Sequence, residues 1–117
     1  MDWLKRHIYE MAEFGELGRS LERGARVLVK NAPGSLPAIL ASYFSEGCER
    51  PVLFVTENLE DAEAAADDLT VLLGEKSVCL LPARPSFGRA LTAIEQSERA
   101  EVLLALQHGE RPMVVTT

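Results

Sequence analysis

The chain alternates short apolar runs with longer segments in which apolar residues recur every three to four positions. The short runs, at 27–29, 52–55, 77–81 and 113–116, predict strands, whereas the segments at 3–13, 17–22, 36–44, 59–73 and 92–108 predict helices. Continuous apolar strands indicate burial on both faces. The predicted fold is therefore α/β, a three-layer α/β/α arrangement with a mainly parallel sheet and right-handed crossovers.

Polar residues and glycines predict where the helices begin and end. Asn58 is placed to cap a helix, with the acidic Asp61 three residues on, and Thr92 with Glu95 forms a capping box. Gly15 is expected to interrupt the first helical segment. The predicted helix stops are glycines that follow the last apolar position: Gly24, Gly74 and Gly109.

The predicted elements divide the chain into N-terminal helices, residues 1–24, and an α/β domain, residues 25–117. In the first helix Leu4, Ile8 and Met11 form one apolar stripe, and Trp3 is expected to pack on the domain rather than anchor a partner. Because a strand ends the sequence without a cap or tail, we expect a fragment of a longer protein.

Residues 26–38 have the strand, tight loop and helix order of a phosphate-binding loop. Such a loop needs G-x-x-x-x-G-K-[ST], because backbone N–H groups cradle phosphates, the lysine reaches the outer phosphates and the hydroxyl holds magnesium. Here Asn31, Leu36, Pro37 and Ala38 occupy the first glycine, second glycine, lysine and hydroxyl positions. The segment predicts a degenerate, P-loop NTPase-like site that binds no cofactor. Its vestigial loop comprises Asn31, Gly34, Ser35, Leu36, Pro37 and Ala38.

Two other interpretations of this loop stay open. Pro37 fits the first turn of any helix, so the stretch can be an ordinary strand-to-helix connection. Alternatively, Gly34, Ser35 and the helix N-terminus hold a nucleotide or another anion in an enzyme with a non-standard loop, with Lys30 adding charge.

Composition narrows the function classes. The net charge of −6 argues against autonomous binding of DNA or RNA, which requires clustered Lys and Arg. The acidic residues of the 59–73 helix predict a solvated face rather than a metal site, because no histidine accompanies them. They are Glu60, Asp61, Glu63, Asp67 and Asp68.

The cysteines and the apolar runs bear on location. Cys48 and Cys79 have no metal-ligand spacing and are interpreted as free thiols in a reducing compartment. The sequence shows no signal peptide and no apolar run near the roughly 20 residues of a membrane span. We expect a cytoplasmic protein.

The loop at 82–89 holds two prolines, an aromatic residue and two arginines. Because arginine and aromatic residues are enriched at interface hot spots, Arg84, Phe87 and Arg89 are candidate contacts with another domain or with DNA. The alternative interpretation is a mobile loop without a partner.

Five stretches resemble, in order, the N-terminal domain of the bacterial transcription-repair coupling factor. They are G-A-R-V-L-V-K-N-A-P-G-S, R-P-V-L-F-V-T-E-N-L-E-D-A-E-A-A-A-D-D-L, L-L-P-A, S-E-R-A-E-V-L-L-A-L and R-P-M-V-V-T-T, and the similarity spans about residues 16–117. The chain is also similar to the first motor domain of excinuclease B, in which the corresponding phosphate loop is intact.

This resemblance implies a helicase-like module that has lost ATP binding. The full protein would be an ATP-dependent DNA translocase that displaces stalled RNA polymerase and recruits excinuclease A, so that transcription is coupled to nucleotide excision repair. In that family the motor lies downstream, and no active-site residue carries over. The expectation is a non-catalytic structural and interaction module that meets other domains of its parent, and meets RNA polymerase and excinuclease A only through that parent.

Overall fold

The computed structural model describes residues 2–47, 50–81, 92–110 and 112–117. The helices are α1 (Asp2–Tyr9), α2 (Ala12–Glu22), α3 (Leu36–Gly47), α4 (Leu59–Leu73) and α5 (Ala93–Gln107), and a short 3-10 turn spans Glu75–Ser77. The strands are β1 (Val52–Val55), β2 (Val78–Leu81) and β3 (Met113–Thr116).

The strands form a small open sheet in the order β1-β3-β2, with both pairings parallel. In the register, Val114 lies between Leu53 of β1 and Cys79 of β2. Since α4 and α5 connect these parallel strands, the predicted α/β class and the three later strands are confirmed. The sheet has three strands among the described residues, one fewer than predicted.

The core lies between one face of the sheet and the pair α3 and α4. Met113 and Val115 of β3 are fully buried and pack with Ala62 and Leu69 of α4, which are also fully buried. Ala38 and Ala41 complete the cluster from α3. Small residues on both helices let the helices approach the central strand closely, and this contact fixes α3 and the loop before it against the sheet.

The opposite face of the sheet is only partly covered. Val114 points to this face because side chains alternate along a strand, and it is buried, as is Val102 of α5. Helix α5 contacts β2. On β1, however, Leu53 and Val55 are 64% and 62% exposed. The β1 half of this face therefore lacks a covering helix among the described residues.

The strand predicted at 27–29 is absent, and this prediction was wrong for the conformation described. Residues 25–33 have no regular secondary structure. Val27, Leu28 and Val29 are 41%, 80% and 45% exposed. They line a groove with residues of α2 and α3, such as Leu17 and Leu40. The apolar run contacts these helices on one side instead of joining the sheet, so much of its apolar surface stays exposed to solvent.

The N-terminal helices differ from their predictions. The break comes at Glu10 and Met11, and α2 continues through Gly15. The reason is tertiary packing, since the buried ring of Phe14 stacks edge-on against Tyr43 at 5.2 Å and outweighs the low helix propensity of glycine. The expected packing of Trp3 was also wrong, because this side chain is 74% exposed.

The predicted caps of α4 and α5 and the predicted glycine stops of α2, α4 and α5 are confirmed. The Asn58 side chain accepts from the N–H of Asp61 at 2.8 Å, and Thr92 and Glu95 form both bonds of the capping box. Gly24 has a φ of +77° and follows α2 in a Schellman arrangement, in which the N–H of Ala25 donates to the carbonyl of Ser20. Gly109 closes α5 in the same way, and Gly74 is the C-cap of α4.

Candidate functional site

The loop at 31–35 leads into the N-terminus of α3. Asn31 and Gly34 both have left-handed backbones, with φ values of +58° and +62°. The N–H of Leu36 donates to the carbonyl of Pro33 at 3.3 Å, and the first helical bond joins Ile39 to Ser35 at 3.0 Å. The loop is therefore a tight turn that uses one of its own N–H groups internally, and Pro37 has none to offer.

Ala38 lies in the core and not at the surface of this loop. Its exposed fraction is 3%, and it packs in the cluster that contains Ala62 and Met113. In a phosphate loop this position carries the hydroxyl that holds magnesium. Here a methyl group fills the corresponding space, and a hydrated cation would have to displace core side chains to reach it.

Side-chain hydroxyls near the carboxyl ends of the strands are engaged within the fold. The Thr56 hydroxyl donates to the carbonyl of Asn58 at 2.8 Å, and the Thr116 hydroxyl donates to the carbonyl of Leu81 at 2.6 Å. Parallel α/β proteins bind their ligands at the carboxyl ends of the strands. These groups instead stabilise the turn before α4 and the β3–β2 pairing.

The described residues show no assembled metal site. No group of three or more His, Cys, Asp or Glu side chains that could hold a metal ion occurs in this part of the chain. Along α4, Glu60, Asp61, Glu63 and Asp67 are exposed, as expected of a solvated face, and Asp68 is half-buried.

Of the two cysteines, only Cys79 lies among the described residues. Cys79 is a free thiol, as predicted. Burial raises its pKa, and the charges of Glu110 and Glu101 act in the same direction. A raised pKa disfavours the nucleophilic thiolate. Cys48 lies outside the described residues, as do Arg84, Phe87 and Arg89, so the candidate interface loop stays a prediction.

The structure brings together a polar cluster that the sequence did not predict. The Lys5 ammonium of α1 pairs with the Glu46 carboxylate of α3 and donates to the carbonyl of Leu72, near the end of α4, at 2.7 Å. One turn later Tyr9 bonds to the hydroxyl of fully buried Ser42 at 2.6 Å. The spacing of Lys5 and Tyr9, four residues apart on one helical face, was the available signal.

This polar cluster holds α1 across two core helices. The Ser42 hydroxyl donates to the carbonyl of Ile39, so the Tyr9 hydroxyl supplies the proton of their shared bond. Burial opposes the charge on Lys5, but the hydrogen bond and charge of Glu46 outweigh it and raise the pKa of Lys5. Burial also raises the pKa of Tyr9. The cluster is a structural contact with its polar groups paired.

Comparison with known proteins gives one informative relative. The chain is 29% identical, over 119 aligned positions, to a region of the transcription-repair-coupling factor of Bacillus subtilis (strain 168). The alignment covers 98% of this chain but 10% of the relative, so the chain spans about a tenth of that protein's length. No protein-family model and no solved structure matches the chain.

Within the described ranges, no helix combines the length and the apolar character that crossing a membrane would require. The similarity relates the chain loosely to a region of this coupling factor.

Proposed function

We propose that this chain is a non-catalytic structural and interaction module of a transcription-repair coupling factor, with a P-loop-like fold whose phosphate loop has degenerated. It meets other domains of its parent protein. The parent, not this module, carries the ATP-driven motor that acts on stalled RNA polymerase and recruits excinuclease A. The module acts in the cytoplasm and does not bind DNA on its own.

The burial of Ala38 is the observation that carries the non-catalytic part of this proposal. A nucleotide-binding loop needs a lysine and a hydroxyl that face the phosphates. Pro37 and Ala38 stand at those positions, and Ala38 packs against the sheet with 3% of its surface exposed. The similarity over 98% of the chain to a coupling factor supports the assignment to that kind of parent.

An anion-binding enzyme domain is the second candidate. The exposed Gly34 and Ser35 precede the N-terminus of α3, where the helix dipole favours negative charge, and Lys30 lies five positions before Ser35. Against it, the loop uses the N–H of Leu36 for its own turn, and proline removes the next donor. The observations favour the first candidate.

Calorimetric titration with ATP and magnesium tests the loss of nucleotide binding. We expect no saturable binding below about 1 mM, because the missing ammonium and hydroxyl supply the main phosphate and metal contacts. Inorganic phosphate serves as a second ligand, with a Ser35→Phe variant as its control. Micromolar ATP binding would overturn the proposal, and phosphate binding that Ser35→Phe abolishes would favour the second candidate.

A chimera tests the assignment to a coupling factor. This chain replaces the aligned region of the Bacillus subtilis protein, and the preferential repair of transcribed strands is measured. A deletion of the same region is the control. Retained coupling in the chimera, together with its loss in the deletion, is the expected result. A stable chimera that behaves like the deletion would contradict the assignment while leaving the nucleotide result intact.

A further inference from the structure

We propose that the cavity between the ends of α2 and α3 binds an acidic peptide segment of a partner protein. One aromatic side chain of that segment lies in the cavity, and its carboxylates lie beside Arg23 and Arg50. The cavity is lined by Gly18, Leu21 and Glu22 of α2, by Tyr43, Phe44 and Gly47 of α3, and by Arg50. This assignment goes beyond the proposed function and does not depend on it.

The cavity has the size and the lining of a site for one large apolar side chain. Its volume is about 390 Å³, near the lower end of the range of about 300–1,000 Å³ that small-ligand pockets span. Leu21 is 40% exposed there, and the rings of Tyr43 and Phe44 are half-buried. A Cβ on Gly18 would lie 3.7 Å from the Tyr43 ring, so glycine keeps this aromatic wall uncovered.

The polar groups of the cavity are not used by the fold. Within the described ranges, the Tyr43 hydroxyl, the Glu22 carboxylate and the Arg50 guanidinium make no hydrogen bond or ion pair. Binding pockets typically combine an apolar lining with a few polar groups that orient the ligand. These three groups can therefore take their partners from a bound segment.

Positive charge is concentrated at and after the end of α2, although the whole chain carries −6. Between positions 19 and 30 there are four cationic side chains and one carboxylate, and Arg50 adds a further cation at the cavity. Arg19, Arg23 and Arg26 are exposed, as is Arg50. Complementary charges steer a partner toward a surface and orient it there. The carboxylates of an acidic peptide are the complement of this cluster.

An acidic peptide fits the cavity better than a single-stranded nucleic acid, which also combines negative charge with rings. Bases stack on the open faces of aromatic side chains. The Tyr43 ring instead makes edge-on contacts with three other rings, at centroid distances of 5.1, 5.2 and 5.4 Å: those of Tyr9, Phe14 and Phe44. It forms a wall and not a stacking platform. The net charge of −6 also repels a phosphate backbone.

Fluorescence anisotropy with labelled peptides tests the proposal on the intact chain. The probe is the peptide D-E-D-F-D-E-D. The matched controls are D-E-D-A-D-E-D, which lacks the ring, and N-Q-N-F-N-Q-N, which lacks the charges. We expect the probe to bind saturably below about 1 mM and about tenfold more tightly than either control. Its affinity should fall as the salt concentration rises.

Three substitutions with two matched controls locate the bound peptide. Gly18→Leu fills the cavity and should weaken binding about tenfold, whereas Gly18→Ala adds a methyl group in ordinary contact with Tyr43 and keeps most of the affinity. Arg50→Ala should weaken binding about threefold. Its control, Lys76→Ala, removes a cation that does not line the cavity and should have no effect. Glu22→Gln removes a charge that repels the peptide and should strengthen binding.

Urea unfolding checks that each variant is folded, and the three peptides decide the question on the wild type if Gly18→Leu is not. Equal affinity for the phenylalanine and alanine peptides would overturn the proposal, as would the lack of saturable binding below about 1 mM. An oligothymidylate that binds more tightly than the probe and displaces it would also overturn it, and would assign the surface to single-stranded nucleic acid.

Discussion

At the scale of single residues, Lys5 and Tyr9 show how one helical face can be polar and still hold a helix in place. Each side chain meets a partner on α3, and the Lys5 ammonium also reaches the last turn of α4. The sequence predicted an apolar stripe on this helix, yet Leu4 and Met11 are exposed. The spacing of Lys5 and Tyr9 indicates a shared helical face, but their partners could not be predicted because both lie more than thirty positions away.

The same two residues predict how stability depends on pH. The folded-state pKa values of Lys5 and Tyr9 are both raised, so the fold holds these protons more tightly than the unfolded chain does. Their contribution is complete below their unfolded pKa values of about 10 and is lost as pH rises through the folded values.

Urea unfolding at about pH 8 and about pH 11 measures this loss. We expect the free energy of unfolding to be lower at the higher pH. The double variant Lys5→Met and Tyr9→Phe should show a smaller decrease. An equal decrease in the variant would assign the alkaline loss to other groups.

At the scale of elements, the capped helix ends were predictable, whereas the break between α1 and α2 and the helix partners were not. Caps depend on residues within a few positions of one another, as with Thr92 and Glu95. The break between α1 and α2 depends on where Phe14 packs, and a glycine could not determine it. The run at 27–29 has strand propensity, but pairing needs an edge elsewhere in the chain, and no local pattern supplies that.

Removal of the α5 cap tests how far this helix depends on local bonds. Thr92→Ala should lower the free energy of unfolding by about 1 kcal/mol, because it leaves the N–H of Glu95 without its side-chain acceptor. Thr92→Ser keeps the hydroxyl and is the matched control. A loss of equal size in both variants would show that the methyl group, and not the bond, provides the stabilisation.

At the scale of the whole molecule, one buried face joins α3, α4 and the sheet. The α/β class and the parallel sheet followed from the periodicity and order of the apolar runs, and the structure confirms them. The degenerate phosphate loop was predicted from which side chains are missing. That Ala38 packs into the core could not be predicted, because its burial depends on the approach of α4 and β3.

The shared core predicts a strong contrast within α4. Leu69 is fully buried, whereas Val71 is 64% exposed on the same helix. Leu69→Ala should lower the free energy of unfolding by about 3 kcal/mol through lost burial and a residual cavity. Val71→Ala should change it by less than about 0.5 kcal/mol. Chemical denaturation followed by circular dichroism compares them, and similar losses would mean that α4 does not pack as described.

The open side of β1 also has a consequence for the handling of this protein. Valine, leucine and phenylalanine follow one another there without a charged residue. Such strands template intermolecular association, which natural proteins prevent by shielding them. Because this side of β1 is open in the described structure, we expect association of the chain to limit solubility before any biochemical property is altered. Precipitation of the protein, rather than a loss of binding or repair function, would then be the first effect to be observed.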